Sequence, residues 1–141
     1  MLRLARERNE VRVVADQRGN PTSALDIADG ILRVAANLAG GDEPEHRGVF
    51  HMTAQGEASW AEFAEAVFAL SLARGGPSAV VKAISTSDYP TPAERPLNSR
   101  LDCGKLARAH NVRLPHWQSS LREVISRLVA ANVTTVGGAG S

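Results

Sequence analysis

Residues 59–84 read SWAEFAEAVFALSLARGGPSAVVKAI, and the change of period within them decides the fold class. Ser59-Trp60-Ala61-Glu62 has the form of a capping box: the serine hydroxyl takes a free N–H of the first helical turn, and the glutamate reaches back to the cap. A helix is expected from there through about Leu72, with Phe63, Ala66, Val67 and Leu70 as its apolar stripe. Gly75-Gly76-Pro77 stops it, since glycine admits the left-handed turn and proline cannot continue a helix. Residues 80–84, Val-Val-Lys-Ala-Ile, then form a short β-branched run that reads as a strand. A capped helix leading through a tight stop into a strand is a building unit of α/β proteins.

The same alternation extends upstream. Residues 11–14 read as a short strand, with Val11 and Val13 on one face and Arg12 and Val14 on the other. A turn-rich loop follows over residues 16–21. Ser23 with Asp26 resembles a second capping box, and Ile27, Ile31, Leu32, Val34, Ala35 and Leu38 fall at helical spacing behind it. Gly40-Gly41 is expected to close that helix in the left-handed conformation. Residues 49–53, Val-Phe-His-Met-Thr, are nearly continuous in apolar character and read as a strand buried on both faces of a parallel sheet. Residues 1–9 look helical but begin without a cap. Downstream, Asp102 is placed to cap a short helix over residues 103–110, and Asn111 to end it. Pro115 and Trp117 introduce a last helix with Leu121, Val124, Ile125 and Leu128 at core spacing. Residues 1–132 are expected to form one domain, and 133–141 a disordered tail rich in glycine. The fold class is α/β, with few, mostly parallel strands and flanking helices.

Composition excludes several functions. The formal net charge of +1 gives no bulk attraction for nucleic acid. No apolar run approaches the roughly 20 residues that a membrane helix needs. The start does not read as a signal peptide. The one cysteine, Cys103, allows no internal disulfide and no cysteine-based zinc site, and fits a reducing compartment. A cytoplasmic protein without nucleic-acid or membrane partners is expected.

Residues 89–105, YPTPAERPLNSRLDCGK, carry the chemistry. Three prolines hold the first half extended, because each fixes its own φ and pushes its predecessor out of the helical region. Arg95 sits before the last of them, on a segment too stiff to fold back. A rigidly presented guanidinium suits an anion such as phosphate, which arginine grips with two parallel hydrogen bonds. The bland alternative is a surface arginine paired with Glu94 or Asp88. His46, His110 and His116 lack metal-ligand spacing with any carboxylate, so no metal site is expected. His51, on a buried-looking strand, reads as a core histidine. Trp60 and Trp117 read as helix-packing anchors.

Taken in order, these residues resemble the dTDP-4-dehydrorhamnose reductase family of extended short-chain dehydrogenases. The likeness is carried by Asp16-Gln17 with Gly19-Asn20-Pro21-Thr22, by His51, and by Gly56-Glu57-Ala58-Ser59-Trp60 with Phe63. It continues through Tyr89-Pro90-Thr91-Pro92-Ala93, Arg95-Pro96, Asn98-Ser99, Leu101-Asp102, Lys105, Leu114-Pro115 and Trp117. It covers residues 1–130 and concerns only the C-terminal, substrate-binding part of that family.

The resemblance implies a partial Rossmann-like arrangement lacking the N-terminal dinucleotide-binding half. It implies a reaction in which NADPH or NADH reduces dTDP-4-dehydro-L-rhamnose to dTDP-L-rhamnose. It also implies a loop facing the nucleotide-sugar, with Arg95, Asn98, Ser99, Gln17 and Asn20 as substrate-binding candidates. The family's glycine-rich loop and its tyrosine–lysine pair, four residues apart, are not in this chain. Tyr89 has Ala93 four positions on. No catalytic residue and no cofactor bound by this chain alone are expected, and the expected partners are a dTDP-sugar and the N-terminal half of such an enzyme. Met1 falls where the family has an internal helical residue, so a truncated product, a fragment or a misplaced start is expected. The alternative is a non-catalytic module that binds nucleotide-sugars or self-associates.

Overall fold

A computed structural model describes residues 1–136, with side-chain surroundings through Ala130. Strand β1 (Glu10–Val14) and strand β4 (Val80–Ile84) pair in parallel, in register from Glu10↔Val80 to Val14↔Ile84. Two short strands, β2 (Arg18–Gly19) and β3 (Ala58–Ser59), pair antiparallel. Helices α1 (Ala24–Gly40), α2 (Trp60–Leu72), α3 (Gly104–His110) and α4 (Trp117–Val136) complete the α/β arrangement. Among the described residues no helix is long and apolar enough to cross a membrane.

The main core lies where α2 packs between the parallel pair and α4. Val11 and Val13 from β1, Ala61, Ala64, Val67 and Phe68 from α2, and Trp117, Leu121, Ile125 and Val129 from α4 meet there. Val11 and Val13 face inward while Arg12 is exposed, as the period of two requires. The α2 stripe is rotated from the expected one. Val67 belongs to both, but Ala61, Ala64, Phe68 and Ser71 are the buried positions, whereas Phe63, Ala66 and Leu70 flank the core. Small alanines let the helix approach the sheet closely, so the deepest face is not the bulkiest one.

A second, smaller core holds Leu106, Val112 and Leu114 with Ile27, Val34, Phe50 and Met52 around them. Here residues 49–53 depart from expectation. They form no strand. Phe50 and Met52 turn toward the small core, while Val49 is 79% exposed and His51 is exposed. The run alternates like a strand but has no ladder partner; α1 and α3 cover its inner side instead. Gly30, the one buried residue of α1, sits where the helix crosses this segment. A Cβ there would lie 2.7 Å from the Met52 sulfur and 3.1 Å from a Leu114 methyl carbon. Ile31 and Leu32 of the expected stripe are 55% and 68% exposed, so α1 docks by a narrow seam only.

Local signals held at most boundaries. Ser59 and Glu62 make both bonds of the capping box, at 3.1 and 2.6 Å. Asn111 ends α3 in the left-handed region, with φ 53°. Asp102 takes the Gly104 N–H at 2.7 Å, although Cys103 holds the formal cap position. Three expectations change. Ser23 accepts from the Leu25 N–H, but Asp26, a methylene shorter than glutamate, does not return the bond and instead accepts from the Ser120 hydroxyl. Gly41 closes α1 in extended rather than left-handed backbone. Residues 1–9 make a single 3-10 turn, Leu4–Arg6, because a short uncapped segment cannot offset the cost of helix nucleation. The helix α4 runs to Val136, and the rest of the expected tail, 137–141, lies outside the described residues.

Candidate functional site

Parallel pairing in register brings the carboxyl ends of β1 and β4 side by side, and the ladder gains one more bond from Ala15 N–H to the Ile84 carbonyl at 2.9 Å. The crevice outside such strand ends is where α/β sheets take ligands. The chain leaves β1 as Asp16-Gln17 and β4 as Ser85-Thr86. The Asp16 carboxylate accepts from the Thr86 backbone N–H at 3.1 and 2.9 Å and from the Thr86 hydroxyl at 2.7 Å. Gln17 Nε2 donates to the same hydroxyl oxygen at 3.1 Å, and Gln17 is buried. The side-chain bond from Thr86, then its backbone bond, hold the Asp16 carboxyl below the usual aspartate value.

A cavity of about 990 Å³ opens on these strand ends, lined by Arg12, Gln17, Trp60, Thr86, Tyr89 and Arg95 among others. Residues 89–95 form one wall, stiffened by Pro90 and Pro92. A 3-10 turn, Thr86–Asp88, leads into it, and the Asp88 carboxylate is committed there, accepting from Ser85 N–H at 3.3 Å and Ser85 Oγ at 2.8 Å. Asp88 is therefore not an Arg95 partner, and Glu94 makes no ion pair with it. Among the described residues neither the Arg95 nor the Arg12 side chain has a hydrogen-bond or ion-pair partner, so two guanidinium groups border the cavity unneutralised. Trp60 and Tyr89 are 51% and 56% exposed and offer ring surface to the same space. Cations beside aromatic faces fit a ligand with an anionic part and a flat heterocycle.

The expected site residues divide into two groups. Arg95 and Gln17 line the cavity. Asn98, Ser99 and Asn20 brace its wall from behind. Ser99 donates to the Arg18 carbonyl through its N–H at 2.9 Å and its hydroxyl at 3.1 Å. Asn98 Oδ1 accepts from the Arg100 backbone at 3.1 Å and its guanidinium at 2.8 Å. Asn20 donates to the Gly56 carbonyl at 2.8 Å and accepts from the Leu101 N–H at 2.9 Å. Glu57 sits between Arg18 and Arg100, at 3.1 and 2.6 Å, and ties the same segment to the β2–β3 pair. Its carboxyl is held below the usual glutamate value, first by the bond from Arg100.

Trp60, Thr86, Tyr89 and Arg12 join the site without having been singled out for it. Trp60, read as a packing anchor, stands at the first turn of α2, where one side faces the cavity; Trp117 is the buried anchor. Thr86 carried no signal, since its partner Asp16 is 70 residues away. Cys103 lies elsewhere, with its sulfur accepting from the Thr53 N–H at 3.3 Å. Among the described residues no group of three or more His, Cys, Asp and Glu is placed to hold a metal.

The residues present do not fit a dinucleotide cradle. Gly40 and Gly41 close α1, and Gly75 and Gly76 follow α2, whereas the cradle needs a glycine loop that leaves a strand and opens a helix.

Comparison with known proteins follows the same outline. The family model described as RmlD substrate binding domain matches residues 1–130. A dTDP-4-dehydrorhamnose reductase of Sinorhizobium fredii is 46% identical over 129 residues, 92% of this chain and 44% of that protein. The dTDP-4-dehydrorhamnose reductase of Escherichia coli strain K12 is 40% identical over 133 residues, 91% of this chain and 43% of that protein. The solved structure of dTDP-4-dehydrorhamnose reductase from Bacillus anthracis, in complex with NADP, matches with a TM-score of 0.77 at 28% identity, covering 89% of this chain and 41% of that one. The chain thus spans less than half the length of these relatives.

Proposed function

Because the chain belongs to the RmlD substrate binding domain family, we propose that it supplies the nucleotide-sugar wall of a dTDP-4-dehydrorhamnose reductase. In this reading the cavity at the carboxyl ends of β1 and β4 takes a dTDP-sugar. Arg95 pairs with the diphosphate, Gln17 contacts a neutral part of the ligand, and Asn20, Asn98 and Ser99 keep the Arg95 wall in place. The reaction served is reduction of dTDP-4-dehydro-L-rhamnose to dTDP-L-rhamnose by NADPH or NADH. The nicotinamide cofactor and the proton-donating tyrosine belong to the dinucleotide-binding half of such an enzyme. The setting is the cytoplasm, where a lone thiol such as Cys103 stays reduced.

One observation carries this reading: among the described residues the Arg95 side chain has no partner, and it is held on a proline-stiffened segment and borders a cavity together with Gln17. An unpaired guanidinium pre-positioned on stiff backbone loses little entropy on gripping a diphosphate. The dinucleotide-binding half has a docking place on β1, which pairs with β4 along one edge only among the described residues. A parallel sheet is stable when more strands and both faces are covered.

Calorimetric titration of the chain with dTDP tests the proposal. Arg95→Ala is expected to weaken binding by roughly tenfold or more, the scale of one or two lost charge-assisted hydrogen bonds. Equal affinity of the parent and Arg95→Ala would remove Arg95 from the site. No binding by either would reject the nucleotide-sugar reading.

A further inference from the structure

This inference deepens the nucleotide-sugar reading and rests on it. A threonine hydroxyl has one proton and two lone pairs, and an ionised carboxylate accepts only. The 2.7 Å contact between Thr86 Oγ1 and Asp16 Oδ1 must therefore hold the Thr86 proton. A second carboxylate bond, from the Thr86 backbone N–H at 2.9 Å, keeps Asp16 in place to receive it. The hydroxyl is left able only to accept. Whatever faces it from Gln17 at 3.1 Å has to be the amide NH2 and not the amide carbonyl. The carbonyl oxygen, Gln17 Oε1, consequently points away from Thr86. Among the described residues it makes no hydrogen bond, and it is not among the sealed, unpartnered polar atoms. Gln17 is only 7% exposed, yet it lines the cavity.

We propose that Gln17 reads a neutral hydrogen-bond donor on the ligand through Oε1, and that Asp16 and Thr86 are positioning residues that lock the amide in that orientation. An outward carbonyl repels phosphate oxygens and accepts an O–H or N–H. Gln17 and Arg95 thereby divide the ligand, the arginine taking its anionic part and the glutamine a neutral one. Three kinds of donor on a dTDP-sugar have this chemistry: a hydroxyl of the hexose, the 3′-hydroxyl of the deoxyribose and the thymine N–H. A site built to pair with a donor rejects ligands that lack it, because its own buried acceptor is then left unpaired. Gln17 is in this way a specificity-determining residue.

The test uses the whole chain, titrated with dTDP and with dTDP-glucose, comparing the parent with Thr86→Val, Thr86→Ser, Gln17→Leu and Arg95→Ala. Thr86→Val and Gln17→Leu are expected to weaken binding about fivefold or more, with Thr86→Ser restoring it. A loss seen with dTDP-glucose alone assigns the donor to the hexose, and an equal loss with both assigns it to the thymidine part. Nuclear magnetic resonance of the ligand-free chain supplies a readout independent of affinity. The Gln17 side-chain amide protons should show a cross-peak to the Thr86 methyl group and slow solvent exchange, both lost in Asp16→Ala. Absence of that cross-peak in the parent overturns the inference. So does parent-like binding by Thr86→Val and Gln17→Leu while Arg95→Ala binds weakly, a result that leaves the nucleotide-sugar reading standing. A parent that binds neither ligand overturns that reading and this inference together.

Discussion

Arg95 and Asp16 show how differently two charged residues are used within one crevice. Among the described residues the Arg95 side chain has no partner, which suits a ligand; Asp16 is fully engaged by Thr86, which suits a scaffold. The engagement has a pH signature. Asp16, Glu57 and Glu62 all titrate below their ordinary values of 3.8, 4.5 and 4.5 in the folded chain, the last chiefly through the Ser59 N–H. A carboxyl whose folded value lies below its unfolded one contributes stability above the unfolded value. That contribution disappears as pH falls through the folded value. The melting temperature should therefore hold level near neutrality and drop as pH falls below the ordinary carboxylate range. Asp16→Asn and Glu57→Gln should each flatten that drop; an unchanged profile in both would contradict the assignment. Arg95 stood out in sequence as an arginine on stiff backbone and Gln17 through the family resemblance, and both line the cavity. Thr86 was not, because a hydrogen bond across 70 residues leaves no local mark.

At the scale of elements, the ends were more legible than the faces. Caps are short-range devices, so Ser59, Glu62 and Asn111 announce themselves. Ser59→Ala should cost about 1 kcal/mol in urea denaturation, since it removes the acceptor for the Glu62 N–H. Gly56 is a sharper case. Its φ is +79°, and an added Cβ would lie 2.2 Å from His116 Nε2, the ring that seats the start of α4. Gly56→Ala should lower stability by at least about 1 kcal/mol from the backbone alone, and more unless the imidazole moves aside. Denaturation midpoints equal to the parent would show that the left-handed backbone at Gly56 is not held in solution. Faces depend on distant neighbours. Residues 49–53 have a strand's alternation but meet helices, and α1 carries apolar positions that its neighbours do not cover. The bulky stripe expected on α2 became the flank because alanines permit the closest approach to β1.

At the scale of the whole molecule, a two-stranded parallel pair backed by α2 and α4 places a cavity at its carboxyl end. Hydride transfer needs a nicotinamide held in line with the ketone and an acid for the oxygen. The chain holds neither a glycine cradle between strand and helix nor a tyrosine with a lysine four residues on. Mixed with NADPH and the keto-sugar, the chain alone is expected to give no loss of NADPH absorbance; measurable turnover would contradict the proposed division of labour. The sequence by itself determined the α/β class, the caps at Ser59 and Asn111, the two longer strands and the stiff arginine-bearing segment, because propensity, capping and proline geometry act within a few residues. Tertiary structure alone decided that β1 and β4 pair in register, that residues 49–53 stay out of the sheet, and that Gln17, Thr86, Trp60 and Arg95 share one cavity. Those outcomes depend on packing between segments tens of residues apart, where burial and hydrogen bonding are settled only once the whole chain has closed.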